Sequence, residues 1–103
     1  MNGYDIDGVI IGGGIKPNAE DVIITGRSYE EAPETLYELK QRGIFNAVYF
    51  NPTSFQRKTL EGAAKWKAKM INELQITDFW EDDPRQISII ERETNCLIHH
   101  VAN

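Results

Sequence analysis

Strand-like and helix-like segments alternate along the chain, and this predicts an α/β fold built on a parallel sheet of about five strands. Three observations carry the prediction. Short apolar runs at Asp21–Thr25 (DVIIT), Ala47–Phe50 (AVYF) and Cys96–Val101 (CLIHHV) read as buried parallel strands. Segments with helical spacing and recognisable ends lie between them. Polar residues gather where the runs stop, the edge at which open parallel sheets bind ligands.

Taken in order, Gly3–Asp7 is the first strand candidate and Asp21–Thr25 the second, ended by Gly26. Ser28 is a helix N-cap, and Glu31 three residues later completes a capping box. Tyr29, Ala32, Leu36 and Leu39 follow at helical spacing, and Gly43 after Arg42 supplies the stop. Ala47–Phe50 is the third strand, closed by Asn51-Pro52. A second helix lies between Phe55 and Leu74, with Leu60, Ala64, Ile71 and Leu74 on one stripe. Phe79–Trp80 and their neighbours form a fourth strand, Pro84–Glu93 a third helix, and Cys96–Val101 the last strand.

One connection breaks the pattern. Parallel neighbours need a crossover of a dozen or more residues, usually holding a helix. Only 14 residues separate Asp7 from Val22, and Gly12-Gly13-Gly14 with Pro17 spoil a helix there. The first crossover helix is therefore expected to be reduced to a loop. One sheet face would then lie partly uncovered, which predicts a homo-oligomer.

The 103 residues suit one domain spanning 1–103. A hydrophobic fraction of 41% and a charged fraction of 26% read as globular rather than disordered. The net charge of −5 argues against a broad nucleic-acid footprint. A single cysteine, Cys96, excludes an internal disulfide. No run approaches the ~18 apolar residues of a membrane span, and the start lacks the basic and apolar regions of a signal peptide. The expectation is a cytoplasmic protein without a membrane partner.

Three strand ends carry chemistry: Asp5-Ile6-Asp7-Gly8, Thr25-Gly26-Arg27 and Glu81-Asp82-Asp83. In a parallel sheet these ends converge. So much negative charge calls for a cation, and an all-oxygen set suits Mg²⁺. A calcium loop is excluded, since its fifth and twelfth positions hold Val9 and Lys16. Blander readings stand beside each cluster: an acidic turn at Asp5 and Asp7, a strand end and cap at TGR, and an acidic helix start before Pro84. His99 and His100 are adjacent on a strand and point to opposite faces, so they read as one packed and one solvated residue.

These residues carry a resemblance. DIDGVI resembles the DxDG(T/V) first motif of the haloacid dehalogenase-like (HAD) phosphohydrolase superfamily. ITGR resembles its second motif. A lysine in the helix before the fourth strand and FWEDDP at that strand's end resemble its third and fourth, all in the family's order. The resemblance implies a Rossmann-like sheet and a Mg²⁺-dependent phosphatase acting on a phosphorylated substrate through an aspartyl-phosphate. Asp5 would be the nucleophile and Asp7 the general acid and base. Thr25 and Gly26 would bind the phosphoryl oxygens. Asp5, Asp82 and Asp7, the last through its carbonyl, would hold the metal. Lys67, beside Trp66, and Lys65, nearer the helix start, both remain open as the charge-neutralising lysine.

The family's usual cap insert has no room here, leaving the segment GVIIGGGIKPNAE as a short flap. An open, capless site suits a large substrate such as a nucleic-acid end, since capless relatives include polynucleotide 3′-phosphatases. The competing reading is a degenerate HAD-like module that binds a metal, a phosphate ligand or a protein without turnover. A nucleotide-binding regulatory domain is disfavoured, because no glycine-rich loop enters a helix.

Overall fold

The computed structural model describes residues 1–52 and 59–103. Among them are five strands: β1 (Asn2–Tyr4), β2 (Val22–Ser28), β3 (Val48–Asn51), β4 (Asp78–Glu81) and β5 (Leu97–His100). Three α-helices lie between them: α1 (Ala32–Gln41), α2 (Leu60–Leu74) and α3 (Pro84–Glu93). The strands form one all-parallel sheet in the order β3-β2-β1-β4-β5, a Rossmann-like arrangement. The chain steps outward from β1 to β3, then returns through α2 to lay β4 on the other side of β1. The strand order reverses at β1, and such a switch point opens a crevice at the carboxyl ends of the strands.

The two faces are closed by different means. On one, Val22, Ile24 and Phe79 pack against Ala64, Ala68 and Ile71 of α2 and Ile90 of α3. On the other, Tyr4 and Ile23 meet Leu39 of α1 and Ile44, joined by Ile6, Val9 and Ile10 from the segment after β1. Among the described residues, no helix connects β1 to β2. The expectation of a trimmed crossover holds, but its consequence differs. The segment coils tightly, with the amides of Ile10 and Ile11 both donating to the Ile6 carbonyl at 3.0 Å. Ile6 and Val9 are fully buried. The loop therefore plugs the face that a crossover helix would cover. Val9 and Ile10 of the segment are anchored in the core. Beyond the plug, this face carries Trp80 stacked between Tyr4 and His99, at centroid distances of 4.7 and 4.2 Å.

Several boundaries move for physical reasons. β1 stops at Tyr4 rather than Asp7, so Asp5 and Asp7 lie on the loop just past the strand end. β2 does not end at Gly26 but runs to Ser28, with an irregular register against β3 between Ile24 and Ser28. Gly26 allows this passage, since a Cβ there would sit 3.0 Å from the Ala63 Cβ of α2. The Ser28 amide donates to the Glu31 carboxylate at 2.9 Å, so the capping pair forms. It starts a short 3₁₀ turn, Tyr29–Glu31, ahead of α1. After α1, the amides of Gly43 and Ile44 bond the carbonyls of Lys40 and Leu39, a Schellman ending that needs the left-handed Gly43.

The expected start of the second helix near Phe55 lies outside the described residues. α2 begins at Leu60, where the Thr59 hydroxyl caps the Gly62 amide at 2.9 Å. α3 begins as anticipated, with Pro84 in its first turn and the Asp83 carboxylate accepting from the Arg85 amide. Among the described residues, no helix is long and apolar enough to cross a membrane.

Candidate active site

The carboxyl ends of the parallel strands open into a cleft of about 460 Å³. Asp5 and Asp7 enter it from the loop after β1, Arg27 from β2, Lys67 from α2, and Glu81 and Asp82 from β4 and the residue after it. Gly8 makes room: with φ at +79°, it passes so close to Asp82 that a Cβ would lie 2.0 Å from Oδ2. The Asn103 carboxamide tethers the same corner, donating to the Gly8 carbonyl at 2.8 Å and to Asp82 Oδ2 at 3.3 Å.

The floor of the cleft is a buried ionic cluster. The Lys67 ammonium lies 3.1 Å from Asp5 Oδ2 and 2.8 Å from Glu81 Oε1, and donates to Gln86 Oε1 at 2.7 Å. Lys67 is 2% exposed, Asp5 5% and Glu81 0%. Buried charges survive only when paired and hydrogen-bonded. This explains how a lysine sits on the apolar stripe of α2, between Ala64 and Ile71. Glu81 is satisfied on both oxygens, because its Oε2 accepts from the amides of Asp82 and Asp83 at 3.1 and 3.3 Å.

Burial pushes the Asp5 carboxyl above the usual range, against the pull of Lys67. Burial and the neighbouring Asp5 charge push Glu81 up to about 8, again opposed by Lys67. For Lys67, burial works against the ammonium, but Asp5 and Glu81 outweigh it and raise its pKa. The lysine is a fixed cation.

Asp7 reaches the cleft but joins a different partner. Arg27 forks onto it, Nε to Oδ2 at 3.1 Å and a terminal nitrogen to Oδ1 at 2.7 Å. The same guanidinium bonds the Thr35 hydroxyl and Glu38 of α1, at 3.1 and 3.2 Å. Arg27 thus ties the loop after β1 to α1.

Most of the residues expected from the sequence converge. Asp5, Asp7, Gly26, Lys67 and Asp82 all line the cleft. Lys65 does not: it pairs with Glu61 at 3.5 Å on the exposed side of α2, so of the two lysines only Lys67 reaches Asp5. Thr25 is fully buried and off the lining, its hydroxyl accepting from the Arg27 amide at 3.0 Å. The sequence gives no role to Arg27 or Gln86, and counts Glu81 only within the acidic cluster that calls for a cation. Arg27 and Glu81 stand inside motifs already quoted, and Glu81 shares the α2-facing side of β4 with Phe79, as alternation requires. Gln86 carries no signal beyond its place in the first turn after Pro84.

Carboxylate oxygens of Asp5, Glu81 and Asp82 come within 4.8 Å of one another. When ionised, three carboxylates beside one ammonium leave two negative charges, and an all-oxygen set fits a hard divalent cation. The Asp7 carboxylate is not in this group, and the ligand expected of Asp7 is its backbone carbonyl. Comparison with protein-family models, with curated proteins and with solved structures gives no significant match.

Proposed function

We propose that the chain is a phosphohydrolase of HAD-like type, cleaving a phosphate monoester through an aspartyl-phosphate on Asp5. The observation that carries this reading is Asp5 itself. It is a carboxylate held against a buried ammonium at the base of an open cleft, at the switch point of a parallel sheet. The ordered motifs in the sequence support the same assignment.

In this reading Asp5 attacks phosphorus, the bond to the leaving oxygen breaks, and Asp7 gives that oxygen a proton. Asp7 then takes a proton from water as the water attacks the phosphoryl group and frees Asp5. Lys67 offsets charge on the transferring group. Asp5 and Asp82, with Glu81 beneath them, would hold Mg²⁺, which supplies charge neutralisation between the carboxylates and an incoming phosphate. Asp7 must leave at least one of its Arg27 bonds before that oxygen meets a leaving group. This observation favours a second reading, a module that binds a metal or phosphate without turnover.

The open cleft suits a phosphate presented on a larger body, and a nucleic-acid end is one such substrate. A cytoplasmic setting agrees with the lone cysteine. Self-association would use the strip over β4 and β5, where Leu97 is 61% exposed. The test is hydrolysis of p-nitrophenyl phosphate with and without Mg²⁺, by the natural chain and by Asp5→Asn. Mg²⁺-dependent turnover abolished by Asp5→Asn is expected. Turnover that survives the substitution sinks the phosphoaspartate mechanism, and metal binding without turnover selects the second reading.

A further inference from the structure

Lys67 has three N–H donors, and the protein supplies three acceptors: Asp5 Oδ2, Glu81 Oε1 and Gln86 Oε1. Every proton of the ammonium is therefore spoken for. An oxyanion entering the cleft finds no free donor on Lys67 unless one acceptor leaves. The three are not equal. Asp5 and Glu81 are buried on the floor of the cleft, and Glu81 is pinned through its other oxygen by the amides of Asp82 and Asp83. Gln86 is neutral, and hydrogen bonds between a charged and a neutral group are weaker than those between two charged groups. Gln86 is also half-buried and lines the cleft, so its amide meets water when released.

We propose that Gln86 is the exchangeable partner of Lys67: a phosphoryl oxygen entering the cleft displaces the Gln86 carbonyl oxygen, while Asp5 and Glu81 keep their places. Gln86 is then a positioning residue. It holds the ammonium aimed at the cleft between ligands and yields to the anion. The inference deepens the phosphohydrolase reading but does not need turnover, since it applies equally to a module that only binds phosphate.

Two substitutions separate exchange from simple support. Gln86→Glu offers Lys67 a charged acceptor that an anion cannot easily displace. Gln86→Leu keeps the bulk and frees one donor, so the anion no longer has to compete. Inorganic phosphate is titrated by calorimetry into the whole chain with Mg²⁺ present, and the Gln86 side-chain amide is followed by nitrogen-15 NMR. Exchange predicts opposite signs. Gln86→Glu weakens phosphate binding roughly tenfold or more, the scale of one charge-assisted hydrogen bond, whereas Gln86→Leu binds as tightly as the natural chain or more tightly. In the natural chain the Gln86 amide resonances shift on saturation.

Equal weakening in both variants, or phosphate binding that leaves the Gln86 amide unmoved, overturns the proposal. So does a natural chain that binds no phosphate. Absent turnover of p-nitrophenyl phosphate alongside the opposite-sign result removes the enzymatic reading and leaves the exchange standing.

Discussion

Arg27 grips Asp7 with two parallel hydrogen bonds across the cleft, and it is anchored in turn on Thr35 and Glu38 of α1. A lysine keeps the charge but cannot fork. On the phosphohydrolase reading proposed above, Arg27→Lys is therefore expected to lower kcat for a phosphate ester about tenfold, less than the ~10²-fold or more of a whole general acid–base contribution because Asp7 itself stays. Its KM should change little, because on that reading the lost constraint is on the proton carrier. Because the side chain is largely buried and bridges two elements, Arg27→Ala also costs ~1–2 kcal/mol of stability. Steady-state kinetics and urea unfolding check both parts.

Lys67 is the sole ammonium between Asp5 and Glu81 among the described residues. Removing one partner of a buried ion pair leaves uncompensated charge, at a cost of ~3–5 kcal/mol. Lys67→Met matches the bulk and should destabilise by that order at neutral pH. Neutralising a carboxylate as well should recover part of it, so Lys67→Met with Glu81→Gln is expected to be more stable than the sum of the single changes. A double-mutant cycle by chemical denaturation reads the coupling directly. Additive losses would mean that the cluster is not one unit.

Gly8 and Gly14 both have left-handed backbones, with φ of +79° and +71°, but their surroundings differ. Gly14→Ala meets nothing within 4 Å and should cost only the backbone penalty, about 1 kcal/mol. Gly8→Ala puts a Cβ into the Asp82 carboxylate, so Asp82 must move or the loop must open. The expected loss is ~1–3 kcal/mol on top of the backbone penalty, and, on the metal site proposed above, weaker Mg²⁺ binding. Thermal unfolding of the two variants, with and without Mg²⁺, separates the contributions.

The sheet was legible because buried parallel strands leave apolar runs and their ends leave polar clusters. The edges were less so. Asp5 and Asp7 looked like one strand face, yet pairing ends at Tyr4, and the two carboxylates find separate cations, Lys67 and Arg27. The Asp7–Arg27 contact spans 20 residues and exists only because β1 lies beside β2, an adjacency no local pattern states. The plug escaped notice for a related reason. GVIIGGG contains the turn residues of a loop, and nothing local says that the Ile6 carbonyl will collect the amides of Val9, Ile10 and Ile11 and coil the segment into the core. Gln86 is an ordinary helix-surface residue until α2 places Lys67 beside it.

Tyr4 gives the pH dependence its clearest sign. Its hydroxyl donates to Asp21 Oδ2 at 2.9 Å in a buried contact. Burial first, then the hydrogen bond and charge of Asp21, push the phenol from its usual 10 up to about 12. The folded chain thus keeps a proton that the unfolded chain loses. Where the unfolded state binds fewer protons, stability falls as pH rises. The contribution is complete below pH 10, declines between about 10 and about 12, and is gone above that. Tyr4→Phe should remove this slope and cost ~1–2 kcal/mol at neutral pH, because the buried Asp21 keeps only the Asn18 amide of the two donors on its Oδ2. When absorbance is followed into alkali, the Tyr4 phenol should ionise well above the usual 10. Tyr4 ionising near pH 10, with no slope in stability above it, would show that the Tyr4–Asp21 bond does not hold the phenol proton.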